Sequence, residues 1–146
     1  MTDAFASTAF TSTGSASTAF TRTVGVRWRD LDALGHVNHV VFLTYLEEGR
    51  DAFYVDTLGH DPSYVVARIE IDLRSEVRYE HRQVSVRIEP ERLGRTSLTT
   101  RETVLVPSGE VAAAARVVTV RWDAQEHRPV PFTAADRERL TALIPA

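Results

Sequence analysis

Apolar and polar residues change their spacing several times along the chain, and each change predicts a new structural element. Apolar residues alternate with other residues over positions 23–28, which predicts a strand. Over residues 38–56 the apolar residues recur at helical spacing, and four of them share one face: Phe42, Leu46, Gly49 and Phe53. Polar residues occupy the opposite face: Thr44, Glu47, Glu48 and Asp51. This part of the chain therefore predicts a strand followed by one long amphipathic helix.

Residues with strong positional preferences mark both ends of this helix. Asn38 is suited to cap the start, because its side-chain oxygen can accept a hydrogen bond from an unpaired N–H of the first turn. The sequence LGHDP at 58–62 places a glycine and a proline where the helical pattern stops. The helix is therefore expected to run from about residue 38 to residue 56.

The second half of the chain reads as a series of strands. Residues 65–73 alternate regularly, and a polar stretch separates them from three further apolar segments at 84–88, 97–106 and 111–122. Gly94 and the sequence PSGE at 107–110 predict tight turns between the last three. Thr133 is positioned to cap a short final helix through Leu143, with Leu140 and Leu143 facing inward.

One long helix and five or six largely antiparallel strands predict an α+β fold in which the sheet wraps around the helix. Only this arrangement buries both the apolar stripe of the helix and one face of the sheet. The alanines at 112–115 and Gly49 are small enough to let the last long strand pass close to the helix. A single sheet of this kind leaves an edge strand exposed, so we expect pairing with a second copy.

Residues 1–21 differ in composition from the rest of the chain. They consist mostly of Ser, Thr and Ala, and the sequence ASTAF occurs twice, at 6–10 and 16–20. Such a segment buries too little apolar surface to offset its ordering entropy. We therefore predict a flexible tail over 1–21 and one folded domain over 22–146.

Composition excludes several kinds of chemistry. The chain has no cysteine and no lysine, which removes disulfides, thiolate zinc sites, cysteine nucleophiles and Schiff-base lysines. A net charge of −3 argues against general nucleic-acid binding. No apolar run is long enough to cross a membrane, and the cysteine-free sequence favours a cytoplasmic location.

Candidate chemistry is concentrated between residues 28 and 50, which read WRDLDALGHVNHVVFLTYLEEGR. Two carboxylates, Asp30 and Asp32, lie in the loop that joins the first strand to the long helix. The unpaired N–H groups of the first helical turn, at the positive end of the helix dipole, are expected beside them. A carboxylate facing exposed amides is what acyl transfer requires, namely a base or nucleophile and donors for a developing oxyanion.

The same stretch carries a resemblance to a known family. The motif DLDALGHVNH at 30–39 is followed on the predicted helix by five further residues: Leu43, Tyr45, Leu46, Glu47 and Arg50. This pattern resembles the signature of the 4-hydroxybenzoyl-CoA thioesterase family, hotdog-fold enzymes that hydrolyse acyl-CoA thioesters. The hairpin sequence LGRTS at 93–97 is also similar to one found in the family.

The resemblance implies a fold, a reaction and an assembly. It implies a hotdog fold that acts without a cofactor as a homodimer or a tetramer of dimers, with active sites at the interface. Asp32 would be the catalytic carboxylate, acting as nucleophile or general base, and backbone N–H groups after Gly35 would polarise the thioester carbonyl. The residues expected to do this or to line the substrate site are Gly35, His36, Val37, Asn38 and His39. Asp30 and Glu47 are possible supporting residues, and Arg92 and Arg95 are candidates for binding coenzyme A phosphates.

Other interpretations of these residues remain open. Asp32 is also a typical turn-forming residue, and Glu47 could simply be a solvated helix residue. Asp30, Asp32, His36 and His39 are possible metal ligands, but only one histidine is expected to face the loop, so we predict no metal site. The substrate could be attached to an acyl-carrier protein or be a polyketide thioester. The chain could also be a non-catalytic module that binds acyl-CoA.

Overall fold

A computed structural model describes residues 19–146 of the chain. The sheet is antiparallel and curled, with strand order β1-β3-β4-β5-β2 and a short β6 paired with β5. The strands are β1 (Phe20–Gly25), β2 (Tyr64–Leu73), β3 (Gln83–Leu93), β4 (Ser97–Leu105), β5 (Val111–Asp123) and β6 (Arg128–Pro129). The helices are α1 (His39–Leu58) and α2 (Ala134–Leu143), and short 3₁₀ turns span Trp28–Asp30 and Tyr79–His81.

Both predicted helices are confirmed, together with the residues expected to cap them. The Asn38 side chain accepts a hydrogen bond from the N–H of Val40, and Gly59 ends α1 in the left-handed conformation with φ of 74°. Thr133 caps α2 by accepting from the N–H of Asp136, and Leu140 of that helix is fully buried. The cap residues thus set the helix ends as the sequence indicates.

The first strand differs from its prediction at both ends. It begins at Phe20, so its first two residues lie inside the segment 1–21 that was expected to be a tail. Residues 1–18 of that segment lie outside the described residues. Trp28 was expected to continue the strand but lies in a 3₁₀ turn, and it is 75% exposed. The buried residues Val24 and Val26 are thus the last inward-facing positions before the chain turns.

β2 is a strand, as predicted, but it forms an edge of the described sheet. The alternating pattern predicted that every second residue of this strand would be buried, but its apolar residues are not buried in this way. Val65, Val66 and Leu73 are exposed, and Ile69 and Ile71 are only half-buried. Along the whole of β2, the described sheet offers unpaired backbone groups beside exposed apolar side chains.

Helix α1 packs mainly against β1, β3 and β4. Gly49 marks a close approach to β3, because a Cβ built there would lie 2.4 Å from Cγ1 of Val86. β5, whose alanines were expected to allow a close approach, is not among the strands that pack most closely against α1. Ala112, Ala113 and Ala115 are buried, but the close approach is made by β3.

Gly49→Ala is expected to destabilise the protein by about 1–2 kcal/mol. The added methyl group overlaps Val86, and this cost outweighs the better helix propensity of alanine. Gly25→Ala is the matched control, because a Cβ at Gly25 meets no atom within 4 Å. Urea unfolding of both variants measures the difference. Equal stability of Gly49→Ala and wild type would show that the helix does not lie this close to β3.

An ion pair is buried between α1 and β4. Arg50 donates from Nε and Nη2 to the two carboxylate oxygens of Glu102, at 2.9 and 3.0 Å. Both side chains are almost completely inaccessible, and the Thr100 hydroxyl donates a further bond to Glu102 at 2.8 Å. Burial by itself lowers the pKa of Arg50, but the hydrogen bond and the charge of Glu102 outweigh it and raise that pKa. The pair connects the middle of the helix to the middle of the sheet.

Candidate active site

Backbone hydrogen bonds hold the loop between β1 and α1 in a defined shape. Within the loop, the N–H of Asp32 donates to the carbonyl of His36, and that of Asn38 donates to the carbonyl of Asp30, both at 2.9 Å. The N–H of Val37 donates to the carbonyl of Val77 at 2.7 Å, outside the loop. The loop is therefore closed on itself and attached to the segment that precedes β3.

Asp30 anchors this loop to the helix. It is buried, and one of its carboxylate oxygens accepts hydrogen bonds from the Tyr45 hydroxyl at 2.7 Å and from the N–H of Arg27 at 2.9 Å. Burial and the bond to Asp30 raise the pKa of Tyr45, so its hydroxyl stays protonated and remains a donor at neutral pH. The structure therefore places Asp30 where it holds the loop, with its carboxylate turned away from solvent.

Tyr45→Phe is expected to destabilise the protein by about 1–3 kcal/mol, because it leaves the buried Asp30 carboxylate without its side-chain donor. A loosened loop should also lower kcat. For the stability measurement Tyr79→Phe is a suitable control, because the Tyr79 hydroxyl makes no hydrogen bond within the described part of the chain. Thermal unfolding of both variants tests the stability, and steady-state kinetics of Tyr45→Phe beside wild type test the effect on kcat. If Tyr45→Phe is as stable and as active as wild type, Asp30 does not anchor the loop through Tyr45.

Asp32 lies in the same loop, but its carboxylate is partly accessible. Oδ1 accepts a hydrogen bond from the N–H of Leu34 at 2.9 Å, which is the turn-forming geometry considered as the alternative for this residue. Oδ2 lies 3.7 Å from Nδ1 of His36, and the side chain is 23% exposed. Gly35 follows with φ of 82°, a conformation that a side chain would strain. One carboxylate oxygen thus shapes the turn, and the other faces a histidine at the surface.

The backbone N–H groups around the helix start divide into two sets. Four donate within the loop or to its neighbours: those of Gly35, Val37, Asn38 and Val40. The N–H groups of His36 and His39 have no acceptor among the residues that the structure describes. His39 is the first residue of α1, so its amide lies at the positive end of the helix dipole. Two of the predicted donors therefore remain available to a ligand.

The side chains of the two histidines differ in their surroundings. The His36 imidazole lies between two carboxylates, 3.7 Å from Asp32 and 3.9 Å from Glu76. His39 is exposed. In the described part of the chain, no group of three or more His, Asp and Glu side chains is arranged to hold a metal ion.

No contact joins Glu47, a predicted supporting residue, to the Asp32 carboxylate in the described part of the chain. Glu47 is exposed on the side of α1, where it lines a concavity of about 420 Å³ together with Asp51 and Tyr64. A second concavity, of about 380 Å³, is lined by His60 and Arg121 among others. Neither is lined by Asp32. Any crevice beside Asp32 must therefore be completed by something other than these two surfaces.

Arg92 and Arg95 lie near the opposite end of the sheet. The loop that carries Asp32 leaves the sheet after Gly25, which pairs with Gln83 at the start of β3. Arg92 is nine residues further along the same strand, a distance of about 30 Å. Both arginines are exposed. Within a single chain they cannot contact a group that is also close to the Asp32 carboxylate.

Comparison with known families agrees with this arrangement. A family model described as the thioesterase-like superfamily matches residues 26–140, which include the loop, α1 and the whole sheet except β1. The chain belongs to the thioesterase-like superfamily. This is broader than the 4-hydroxybenzoyl-CoA thioesterase family named from the motif, and the narrower assignment stays a prediction. No curated protein matches the chain.

Solved structures support the same superfamily. A thioesterase from Thermus thermophilus, complexed with coenzyme A and Zn, is 38% identical, with 84% of this chain and 92% of that chain covered and a TM-score of 0.72. A protein from Bacillus stearothermophilus described as a predicted thioesterase is 27% identical, with coverage of 88% and 99% and a TM-score of 0.76. A thioesterase-superfamily protein from Jannaschia sp. CCS1 is 23% identical, with coverage of 88% and 95% and a TM-score of 0.80, and supports the fold alone. The predicted hotdog fold is confirmed, and the chain is a thioester hydrolase.

Two features of the structure, one beside the site and one in the core, had no signal in the sequence. One is the segment at 77–82, whose backbone holds the Asp32 loop although its residues follow no motif. The other is the partner of Arg50, which is Glu102 on a distant strand.

In the described part of the chain, no helix is both long and apolar enough to cross a membrane.

Proposed function

We propose that this thioesterase hydrolyses acyl-CoA thioesters to a carboxylic acid and free coenzyme A, with Asp32 as the catalytic carboxylate. One observation supports this most directly. The partly accessible Asp32 carboxylate lies in the loop that also carries the unpaired N–H group of His36 and that leads into the unpaired N–H group of His39 at the start of α1. A thioester carbonyl placed between them would have a base or nucleophile on its carbon side and donors on its oxygen. The coenzyme A bound to the Thermus relative is consistent with this substrate class.

The reaction needs little more than these groups. Asp32 either removes a proton from a water that adds to the carbonyl carbon, or adds itself to form a mixed anhydride that water then hydrolyses. In both routes the carbon–sulfur bond breaks and the thiolate leaves with the electron pair. A thiol has a pKa of about 8.5, so a strong general acid is not needed. The N–H groups of His36 and His39 would stabilise the developing oxyanion.

We also propose that two copies pair through β2. The strand is an edge of the described sheet, and it exposes Val65, Val66 and Leu73 beside unpaired backbone groups. A second copy added there would extend the sheet and supply a wall for the crevice beside Asp32. Light scattering of the purified protein is expected to give a dimer or a tetramer of dimers; a stable monomer would contradict the proposal.

A free-thiol assay tests the reaction. The purified protein is supplied in turn with short-chain, long-chain and aromatic acyl-CoAs, and in parallel with the same acyl groups on an acyl-carrier protein. Release of thiol from at least one acyl-CoA is expected. Release from the carrier protein alone would favour the carrier-protein alternative, and tight binding of acyl-CoA without release would favour the non-catalytic module. The cytoplasmic location stays a prediction from the cysteine-free sequence.

A further inference from the structure

An exposed aromatic surface lies beside the Asp32 loop and has no role in the chemistry described above. It consists of Trp28, Tyr79 and Arg82, and we call it the Trp28 surface. The rings of Trp28 and Tyr79 are nearly perpendicular, at 87° with centroids 5.6 Å apart, and the Arg82 guanidinium lies 4.9 Å from the centroid of the Tyr79 ring. Trp28 is 75% exposed. The perpendicular Tyr79 ring can cover only one face of the Trp28 indole. At least one face of the indole is therefore open to solvent.

Exposing the large Trp28 indole to water is unfavourable. Backbone hydrogen bonds around Trp28 nevertheless fix its position at the surface. The N–H of Val26 donates to the carbonyl of Arg82, and the N–H of Arg82 donates to the carbonyl of Tyr79. Arg82 adopts a positive φ of 64°, which is uncommon for a residue with a side chain. Trp28 and the turn at 79–82 are therefore held together by the fold, with an apolar ring kept at the surface.

The Trp28 surface has a defined relation to the candidate active site. Trp28 precedes Asp32 by four residues, so their Cα atoms lie at most about 14 Å apart. The Asp32 loop is also bonded to the same segment through Val37 and Val77. A ligand that extends from the Asp32 carboxylate across the loop would therefore meet the indole.

The charges of this surface suit a phosphorylated ligand. Arg27 and Arg78 are paired with Glu48 and Glu76. Arg29 and Arg82 are exposed, and neither has a carboxylate partner among the described residues. The Arg82 guanidinium contacts the Tyr79 ring but has no carboxylate partner in the described part of the chain, so the surface offers two guanidinium groups without an ion-pair partner beside Glu80, the acidic residue of the turn at 79–82. A guanidinium group binds phosphate oxygens through two parallel hydrogen bonds.

We propose that the Trp28 surface binds the adenine nucleotide end of coenzyme A. The inference rests on the proposed function, since it takes the thioester to lie at Asp32. The adenine ring stacks on the open face of the Trp28 indole, and Arg82 and Arg29 bind the phosphates. The flexible pantetheine arm then spans the short distance from the nucleotide to the thioester. The Trp28 surface thus selects substrates carried on coenzyme A over the same acyl groups on a carrier without a nucleotide.

A kinetic comparison separates this role from a structural one. Trp28→Ala is expected to raise KM for an acyl-CoA about tenfold, the loss typical of one stacked base, with little change in kcat. Its kcat/KM for the matching acyl-pantetheine, which lacks the nucleotide, should equal that of wild type. Trp28→Phe, which keeps an aromatic ring at this position, should restore most of the affinity. An equal effect on both substrates, or none on either, would overturn the proposal.

A binding measurement tests the surface without relying on turnover. The chain has two tryptophans, so Trp122→Phe leaves Trp28 as the only fluorescent indole. Adenosine 3′,5′-bisphosphate, which carries the nucleotide but no thioester, is expected to quench its emission, and Arg82→Gln in the same background should weaken the binding. Quenching in a protein that hydrolyses no thioester would mean that the proposed function fails while the nucleotide site stands. Emission that changes with protein concentration but not with nucleotide would place a second copy on Trp28 and overturn the proposal.

Discussion

Replacing Asp32 by asparagine is expected to abolish thioester hydrolysis and leave the fold intact. The asparagine side-chain oxygen can still accept the hydrogen bond from the N–H of Leu34, so the turn is preserved. The side chain can no longer take a proton or attack a carbonyl carbon. The expected loss in kcat is roughly 10²–10⁴-fold, the range typical of a missing acid–base group. The free-thiol assay measures it, with circular dichroism and thermal unfolding as checks on the fold.

Asp30→Asn is the informative comparison, because the two aspartates lie in one loop but differ in burial. Asp30 is buried and holds the loop through Tyr45 and Arg27, so its replacement should lower stability as well as activity. Asp32→Asn should lower activity alone. Turnover by Asp32→Asn within about tenfold of wild type would show that Asp32 only forms the turn.

Glu102→Ala is expected to destabilise the protein by about 3–5 kcal/mol, the largest effect of any single substitution considered for stability. The change leaves the Arg50 guanidinium fully buried with no carboxylate to neutralise it. It also removes the acceptor of the Thr100 hydroxyl. Urea or thermal unfolding measures the loss. Because a small domain is stable by only about 5–15 kcal/mol, this variant is expected to be near the limit of folding.

A double variant distinguishes a buried charge from a lost contact. Arg50→Met combined with Glu102→Leu removes both charges and fills the same space with apolar atoms, so it should recover most of the stability lost in Glu102→Ala. Arg50→Met alone is expected to be strongly destabilising, because it leaves the Glu102 carboxylate buried with only Thr100 as a donor. If the double variant were less stable than either single variant, the two losses would be adding up, and the unpaired buried charge would not be the main cause of the loss in Glu102→Ala.

Much of the fold follows from local patterns that depend on near neighbours in the chain. The helix face of Phe42, Leu46, Gly49 and Phe53 is buried as its spacing indicates, and the caps Asn38 and Thr133 lie where their side chains suggest. The turns at Gly94 and 107–110 are formed by hydrogen bonds within a few residues. Such features could be predicted because each depends on residues close together in sequence.

The candidate site was predicted with a division of roles, Asp32 as the catalytic carboxylate and Asp30 as a supporting residue, but that division came from the family resemblance and not from the physical chemistry of the residues. Nothing in DLDALGHVNH distinguishes the aspartate that is buried from the one that is partly accessible. That difference arises because Tyr45, one helical turn and a half into α1, reaches back to Asp30 and leaves Asp32 at the surface. In the same way, the motif offers several backbone donors, and only contacts with Val77 and with the loop itself decide which remain open.

The sequence alone determined the elements, their caps, the loop that carries the carboxylates and the class of chemistry, because these depend on spacing and on conformational preferences of single residues. The tertiary structure decided which strand forms an exposed edge, that Arg50 pairs with Glu102 52 residues away, and that Trp28 stays in water beside the site. The physical reason is that burial and pairing depend on groups brought together from distant parts of the chain, and hydrophobic spacing does not state which groups those are.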